Sequence, residues 1–531
     1  MRFNHLCVCA VTVAGCASGK FIAVEAPAAA VDSAGASLIE DSDAGDDTAR
    51  PMDTADTADS GDSGAPPADW VTLPSTCVPP SPSGTDAFVE VGAEINQSGS
   101  WFTEILDVAY LPDAEVVLTA GQGGVAVFDL SDVTQPNTRG HLGAEPGPFE
   151  RYYHVEPAAP ERMFATHRDI GLDVISYADP DRLVRTARMG NTGYEGLHPL
   201  GDRLYVANIN GSIDIFNITV TDAIAFSATV SEGLERPWDI LATEDAAYVA
   251  DGGAGLVTFS LASRDAPVWT ATADSEGQPV RLVGDDDGYL YVASGSGGLE
   301  IFETSDPLAP TRVAVLDVGG SALDVEVHDG IVGVTTQEAV VLFDVGRAGT
   351  PEAPVPFAYE ETELYAMALT AADGRWLVGD WNILSVWELG TDPAPSIDVS
   401  SHGVAFLDEA ETRIVRVTNR GSAALTIAGI ALPPGMEATI DHPVMAPGQV
   451  AQVQVAWDGV TGIPRGSTIC IASDDPGMPQ FELQTGTGAS GEGNAIGQNA
   501  PDFALEDLDG VVHRLSDQIG QPVVLAYFAT W

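Results

Sequence analysis

One phrase recurs seven times in the middle of this chain, and it constrains the fold more than any other feature. A strand ending in small residues leads into a Gly-rich turn, and then into an alternating strand that closes on a large apolar residue. The copies read VVLTAGQGGVAVFDLSD, MFATHRDIGLDVISYAD, LYVANINGSIDIFNIT, AYVADGGAGLVTFSLAS, LYVASGSGGLEIFETSDP, GVTTQEAVVLFDVG and LVGDWNILSVWEL. The closing residues are Phe128, Ile175, Phe216, Phe259, Phe302, Phe343 and Trp387, at intervals of 47, 41, 43, 43, 41 and 44. A period of roughly 43 residues suits one four-stranded propeller blade. Seven closing residues therefore predict a seven-bladed β-propeller over residues 76–393.

Each repeat supplies its inner strands first and an edge strand last, as in TRVAVLDVGG at 311–320. No such strand follows Trp387, whereas residues 87–92 match the pattern and have no blade of their own. They are expected beside residues 383–388, which would close the seventh blade and remove two free sheet edges.

The wording of the repeats resembles the LVIVD-repeat family of bacterial β-propellers, and GLEIFETSDPLAP at 298–310 is the nearest copy. The second, third and sixth repeats depart from the Ser-Asp-Pro ending. At the start of each innermost strand one column is mostly polar: Asp107, His154, His198, Asp239, Arg281, Asp324 and Ala366. These positions would ring one mouth of the central channel. Bonds to backbone groups at the blade tops account for such a column, since buried polar groups need partners. A site for an ion or small ligand is the functional alternative. His154 and His198, 44 residues apart, have no metal-ligand spacing, and no metal or other cofactor is expected.

No Gly-x-Ser-x-Gly elbow, phosphate-cradling loop or His-Glu-x-x-His occurs in a suitable setting. The net charge is −56, and Lys20 is the only lysine. A surface this acidic repels phosphate backbones, which excludes nucleic acid as a partner.

From 394 to 490 the period changes to short alternating strands with frequent turns, which predicts an antiparallel sandwich of immunoglobulin type. VTNRG, APG and SDDP in this stretch resemble hydin-type bacterial Ig-like modules, which act as spacers or adhesive units. Cys470 reads as a small buried apolar residue.

At the N-terminus Arg2 and His5 precede a short apolar run ending Val13-Ala14-Gly15-Cys16, an export signal over residues 1–16. This ending resembles the bacterial lipobox, which implies cleavage before Cys16, lipidation of its thiol and a membrane partner through the lipid. Residues 17–75, rich in Ala, Asp and Ser, read as a disordered acidic linker. The implied location is the cell envelope, on the outer membrane or cell surface, facing the periplasm or the exterior. Of five cysteines, only Cys77 and Cys470 fall in the body of the protein, and they are expected to be unpaired.

Residues 491–531 hold Ala500-Pro501-Asp502-Phe503, a strand-turn-strand pattern, an apolar strand at 523–528 and then Phe528-Ala529-Thr530-Trp531. This order resembles the opening of thioredoxin-like redoxins, a group that includes the AhpC/TSA type. The nearest branch is the membrane-tethered thiol–disulfide oxidoreductases. In that branch Phe-Ala-Thr-Trp is followed directly by Cys-x-x-Cys, whose first thiolate attacks. No such pair is present, so the resemblance implies only the N-terminal part of an α/β fold. Either the chain is a fragment, or the codon after Trp531 is a UGA encoding selenocysteine, whose selenol ionises well below the ~8.5 of a thiol.

The expectation is thus a mainly β, surface-tethered lipoprotein. Its complete form would be a thiol–disulfide oxidoreductase with antioxidant activity, acting on a protein thiol or disulfide. The alternative is a non-enzymatic surface binding or adhesion protein carrying a vestigial redoxin segment.

Overall fold

The computed structural model describes residues 70–80, 88–95, 104–143, 151–158, 161–390, 393–401, 403–406, 410–464 and 466–487, and two short strands beyond them. Among these residues the chain is strand and turn, with 3-10 turns at Pro112–Ala114 and Thr221–Ala223. The protein is mainly β, and residues 71–488 form one compact unit.

The repeat segment forms seven four-stranded antiparallel sheets among the described residues. Their inner strands are Glu104–Leu111, Tyr152–Ala158, Tyr194–Leu200, Pro237–Ala242, Arg281–Gly284, Asp324–His328 and Ala366–Ala372. Each packs on the next, and the last packs on the first, so the sheets close into a ring. The apolar core runs between sheets rather than within any one of them. Phe259 packs with Tyr205 and Ile213 of the preceding sheet, and Phe128 with Leu377 and Leu384 across the point of closure.

The repeated phrase has a local reason. Gly124, Gly171, Gly255 and Gly298 open the third strands with φ of 138°, 118°, 107° and 76°. A Cβ there would sit 2.0–2.4 Å from a carbonyl oxygen of the fourth strand, too close for any side chain. Positive φ and close backbone approach both call for glycine. Four residues on, the closing residue falls at a bulge in the pairing with the fourth strand, as between Val127 and Phe128 and between Ile301 and Phe302. All seven closing residues are buried.

The strand expected at 87–92 spans Phe88–Ile95 and pairs antiparallel with Ile383–Leu389, Phe88 facing Leu389 and Ile95 facing Ile383. Phe88 stacks on Trp387 at 4.9 Å and meets Trp376 edge-on at 6.3 Å. Bidentate ion pairs link the first four sheets on the outside: Arg139 to Asp181, Arg162 to Asp222 and Arg203 to Asp265. The exposed carboxylates make each pair individually weak.

Residues 397–487 build two facing sheets. One runs Ile397–Val399, Glu411–Asn419, Val450–Trp457, Met436–Ile440; the other runs Gly403–Phe406, Gln480–Thr487, Ser467–Ser473, Leu425–Ala431, Val444–Met445. Val417, Val453, Ile469 and Leu483 lie in the core between them. The pairing departs from the antiparallel expectation at one place, where Gly403–Phe406 runs parallel to Gln480–Thr487. The sandwich meets the ring through Arg420, whose guanidinium donates to Asp398 at 3.0 Å and to the carbonyl of Asp317 at 2.5 Å. Ser396 Oγ adds a hydrogen bond to the carbonyl of Tyr359 at 2.6 Å.

Two sequence expectations are corrected. Cys77 and Cys470 are joined in a disulfide, and Cys470 is only partly buried. Their separation of 393 residues hid the pairing. Residues 71–77, assigned largely to the linker, lie along the sandwich: Val71 bridges Ile440, the carbonyl of Pro74 accepts from Ile430, and Leu73 packs on the core. Of the C-terminal segment, the described part is the antiparallel pair Ala504–Glu506 and Val512–Arg514, which fits the expected strand-turn-strand pattern.

Phe88→Ala removes an aromatic buried between two tryptophans at the closure. Truncation of a buried Phe costs about 3–5 kcal/mol, and chemical denaturation should show a loss of that size.

Candidate functional site

The inner strands place two layers of side chains around one channel. Asp107, His154, Asp239, Arg281 and Asp324 occupy equivalent register positions, opposite Ala120, Thr166, Ala250, Ala293 and Thr335. In the third and seventh sheets that position falls to Gly196 and Ala368, not to His198 and Ala366. His198 lies two residues further along, in a second layer with Glu156, Glu326 and Thr370. Gly196 is 42 residues after His154 and 43 before Asp239, so spacing alone would have found it. Being apolar, it does not stand out in a column of polar residues. A Cβ there would fall 2.1 Å from Asp239 Oδ1, so a side chain is excluded.

All six predicted polar residues line one cavity of about 290 Å³, together with Glu156, Glu326 and Thr370. Three aspartates clasp adjacent sheets. Asp107 accepts from the N–H of Val155 at 2.7 Å, Asp239 from Leu282 at 3.1 Å and Asp324 from Leu369 at 2.8 Å. Arg281 crosses the channel from the fifth sheet to the second, donating to His154 Nδ1 at 2.7 Å and to the carbonyl of Tyr153 at 3.0 Å. It also lies 3.5 Å from Asp107 Oδ1. His198 Nδ1 accepts from the N–H of Ala242 at 3.3 Å.

Removal from bulk water dominates the electrostatics. Burial raises the Glu156 carboxyl to about 8, helped by the negative charges of Asp107 and Asp239. Burial likewise raises Glu326 to about 8, against hydrogen bonding from Val327. Asp107 and Asp324 rise to about 6 and about 7, restrained by Arg281. Burial and, for His154, the facing guanidinium depress the two imidazoles, His154 to about 3 and His198 to about 4. Both rings are therefore neutral at pH 7, which leaves His154 Nδ1 a lone pair for Arg281. Among the described residues no group of three His, Cys, Asp or Glu is placed to share a metal ion.

The remaining predicted residues lie outside the described ones: Cys16, and the redoxin positions Pro501, Asp502, Phe503, Phe528, Ala529, Thr530 and Trp531. The apolar strand expected at 523–528 lies outside them too. Glu156 and Glu326 were missed because their layer is recognisable only once the inner strands are in register.

Known proteins match this chain in separate parts. Residues 236–258 and 283–317 match the LVIVD repeat family. The thiol-disulfide oxidoreductase ResA of Geobacillus thermodenitrificans is 51% identical over 37 residues, which is 7% of this chain and 21% of that protein. ResA of Geobacillus kaustophilus is 54% identical over the same number of residues, again 7% and 21%. The chain thus spans about a fifth of the length of these curated relatives. The computationally designed Ika8 protein aligns with 56% of this chain and 99% of its own, at 11% identity and a TM-score of 0.41.

The raised carboxyls give the ring a pH dependence of definite sign. Glu156 and Glu326 hold their protons to about 8 when folded, against an ordinary 4.5. The folded state therefore binds more protons over that interval, and stability falls as pH rises through it. The depressed histidines act in the opposite sense only below about 6.5. Between pH 6.5 and 8.5 the loss should be on the order of 1–2 kcal/mol for each glutamate. Glu156→Gln and Glu326→Gln should flatten that slope, as measured by denaturation at both pH values.

Proposed function

We propose that this chain is the tether and display scaffold of an exported thiol–disulfide oxidoreductase. The seven sheets are read as the blades of an LVIVD-type β-propeller and the two facing sheets as an Ig-like spacer. The residues from 491 are read as the start of a thioredoxin-like module. Cys16 carries the lipid, and the acidic segment after it is the tether to the cell envelope.

The observation that carries this reading is the 51–54% identity to ResA over 37 residues. The order Ala500-Pro501-Asp502-Phe503 before Phe528-Ala529-Thr530-Trp531 supports the same branch. In such modules a thiolate attacks a substrate disulfide, a mixed disulfide forms, and the second thiol of the pair displaces the product. The attacking residue, cysteine or selenocysteine, is expected directly after Trp531. Cys77 and Cys470 are not candidates, because each is held by the other. That disulfide supports an exported location, since such bonds persist outside the reducing cytosol.

Two measurements test the proposal. The full gene product should reduce insulin with dithiothreitol as electron source, and serine in place of the residue after Trp531 should abolish turnover. A chain ending at Trp531 should show none, and turnover by that chain would sink the assignment of the nucleophile. In a Gram-negative host the protein should partition into detergent, and Cys16→Ser should move it to the aqueous phase.

A further inference from the structure

Two residues before the closing residue, three sheets place a carboxylate on the third strand: Asp173, Asp214 and Glu300. They are only 2%, 4% and 0% exposed. In the second sheet Asp173 is neutralised by arginines of the fourth strand. Arg188 donates to it from Nε at 2.6 Å and Nη2 at 2.8 Å, and Arg185 from Nε at 2.7 Å. In the fifth sheet Glu300 receives Arg312 Nη1 at 2.9 Å. The register shows where these arginines come from: Arg188 faces Asp173, and Arg185 and Arg312 face the closing residues Ile175 and Phe302.

The third sheet lacks them. There Thr229 faces Asp214, and Phe226 faces the closing residue Phe216. Asp214 Oδ2 accepts from Tyr194 Oη at 2.6 Å and Asn191 Nδ2 at 2.9 Å, and Oδ1 from Thr229 Oγ1 at 2.5 Å. All three donors are neutral, and among the described residues no arginine or lysine forms an ion pair with Asp214. A carboxylate has about four lone-pair sites, so one is left over. An ionised carboxylate taken out of water without a cation is costly.

Beside Asp214 lies an open cavity of about 430 Å³, walled by Met189, Asn191, Tyr194, Asn208, Phe216 and Phe226. Tyr194 and Phe226 each contact Phe216 edge-on, at 6.1 and 6.0 Å. Phe226 is 55% exposed, leaving ring surface free at the cavity mouth. We propose that this cavity binds a guanidinium group from outside the fold, seated on Asp214 where the second and fifth sheets use their own arginines. One guanidinium N–H donates to the remaining site on Asp214, the planar cation lies against the Phe226 ring, and an aliphatic stem runs past Met189. The source is either a small guanidinium compound or an arginine side chain presented by a partner protein. The inference is independent of the redox reading.

Calorimetric titration of the full chain with acetyl-arginine amide tests it. One saturable site is expected, with a Kd of roughly 0.1–5 mM for a ligand this small. The lysine analogue should bind about tenfold or more weakly, because its compact, strongly hydrated ammonium cannot lie flat on the Phe226 ring. Asp214→Asn should cost a similar factor. Thr229→Arg, which supplies the missing cation from the position of Arg188, should abolish binding while raising the melting temperature. No saturation, or equal binding by Asp214→Asn and Thr229→Arg, would overturn the proposal. Binding of agmatine but not of a peptide with an internal arginine assigns a small-molecule source, and binding of both assigns a partner's side chain.

Discussion

The pairing of Phe88–Ile95 with Ile383–Leu389 is the contact on which the rest of the ring depends. Without it the seventh sheet would end on an open edge at Ile383–Leu389, and only side-chain packing would hold the first sheet to the seventh. Each sheet is marginal alone, because its apolar residues are buried only against the next sheet. A ring of such units gains its core by closing. Phe88, stacked on Trp387 and edge-on to Trp376, makes the closing strand more than a row of backbone hydrogen bonds.

The channel solves a second problem, since seven inner strands converge where space is smallest. Small residues take two of the seven positions in the layer of Asp107 and Asp239, namely Gly196 and Ala368, and Asp239 packs against the first. The carboxylates there serve the architecture by accepting N–H groups from the neighbouring sheet. Arg281 spans the middle, and the two histidines stay neutral. The cluster is therefore acidic in composition yet restrained in charge near neutrality, because its glutamates give up their protons only near pH 8.

Much of this could be read from the residues. The 43-residue spacing located the closing residue of each sheet, and the orphan strand before the first repeat predicted the closure. Legibility failed wherever the answer lay between strands. In the third and seventh sheets the column falls on Gly196 and Ala368, and a glycine and an alanine carry no polarity to mark it, so His198 and Ala366, each two residues away, stood in for them. The Cys77–Cys470 bridge spans almost the whole folded body, so no local pattern could announce it. Asp214 looks like Asp173 in its own strand, since SIDIF and GLDVI follow one template. Only the facing strand, Thr229 against Arg188, separates a satisfied carboxylate from one beside a cavity. The expectations for Cys16 and for the redoxin motif lie outside the described residues, and resemblance alone speaks for them.

The bridge between Cys77 and Cys470 also sets the path of mechanical load. Tension entering the chain ahead of Cys77 and leaving beyond Cys470 crosses the sulfur link to the strand Ser467–Ser473. The seven sheets sit on the slack side of that link, shielded from shear however hard the ends are drawn. Reduction of one covalent bond would put the closing strand Phe88–Ile95 directly in line with the pull.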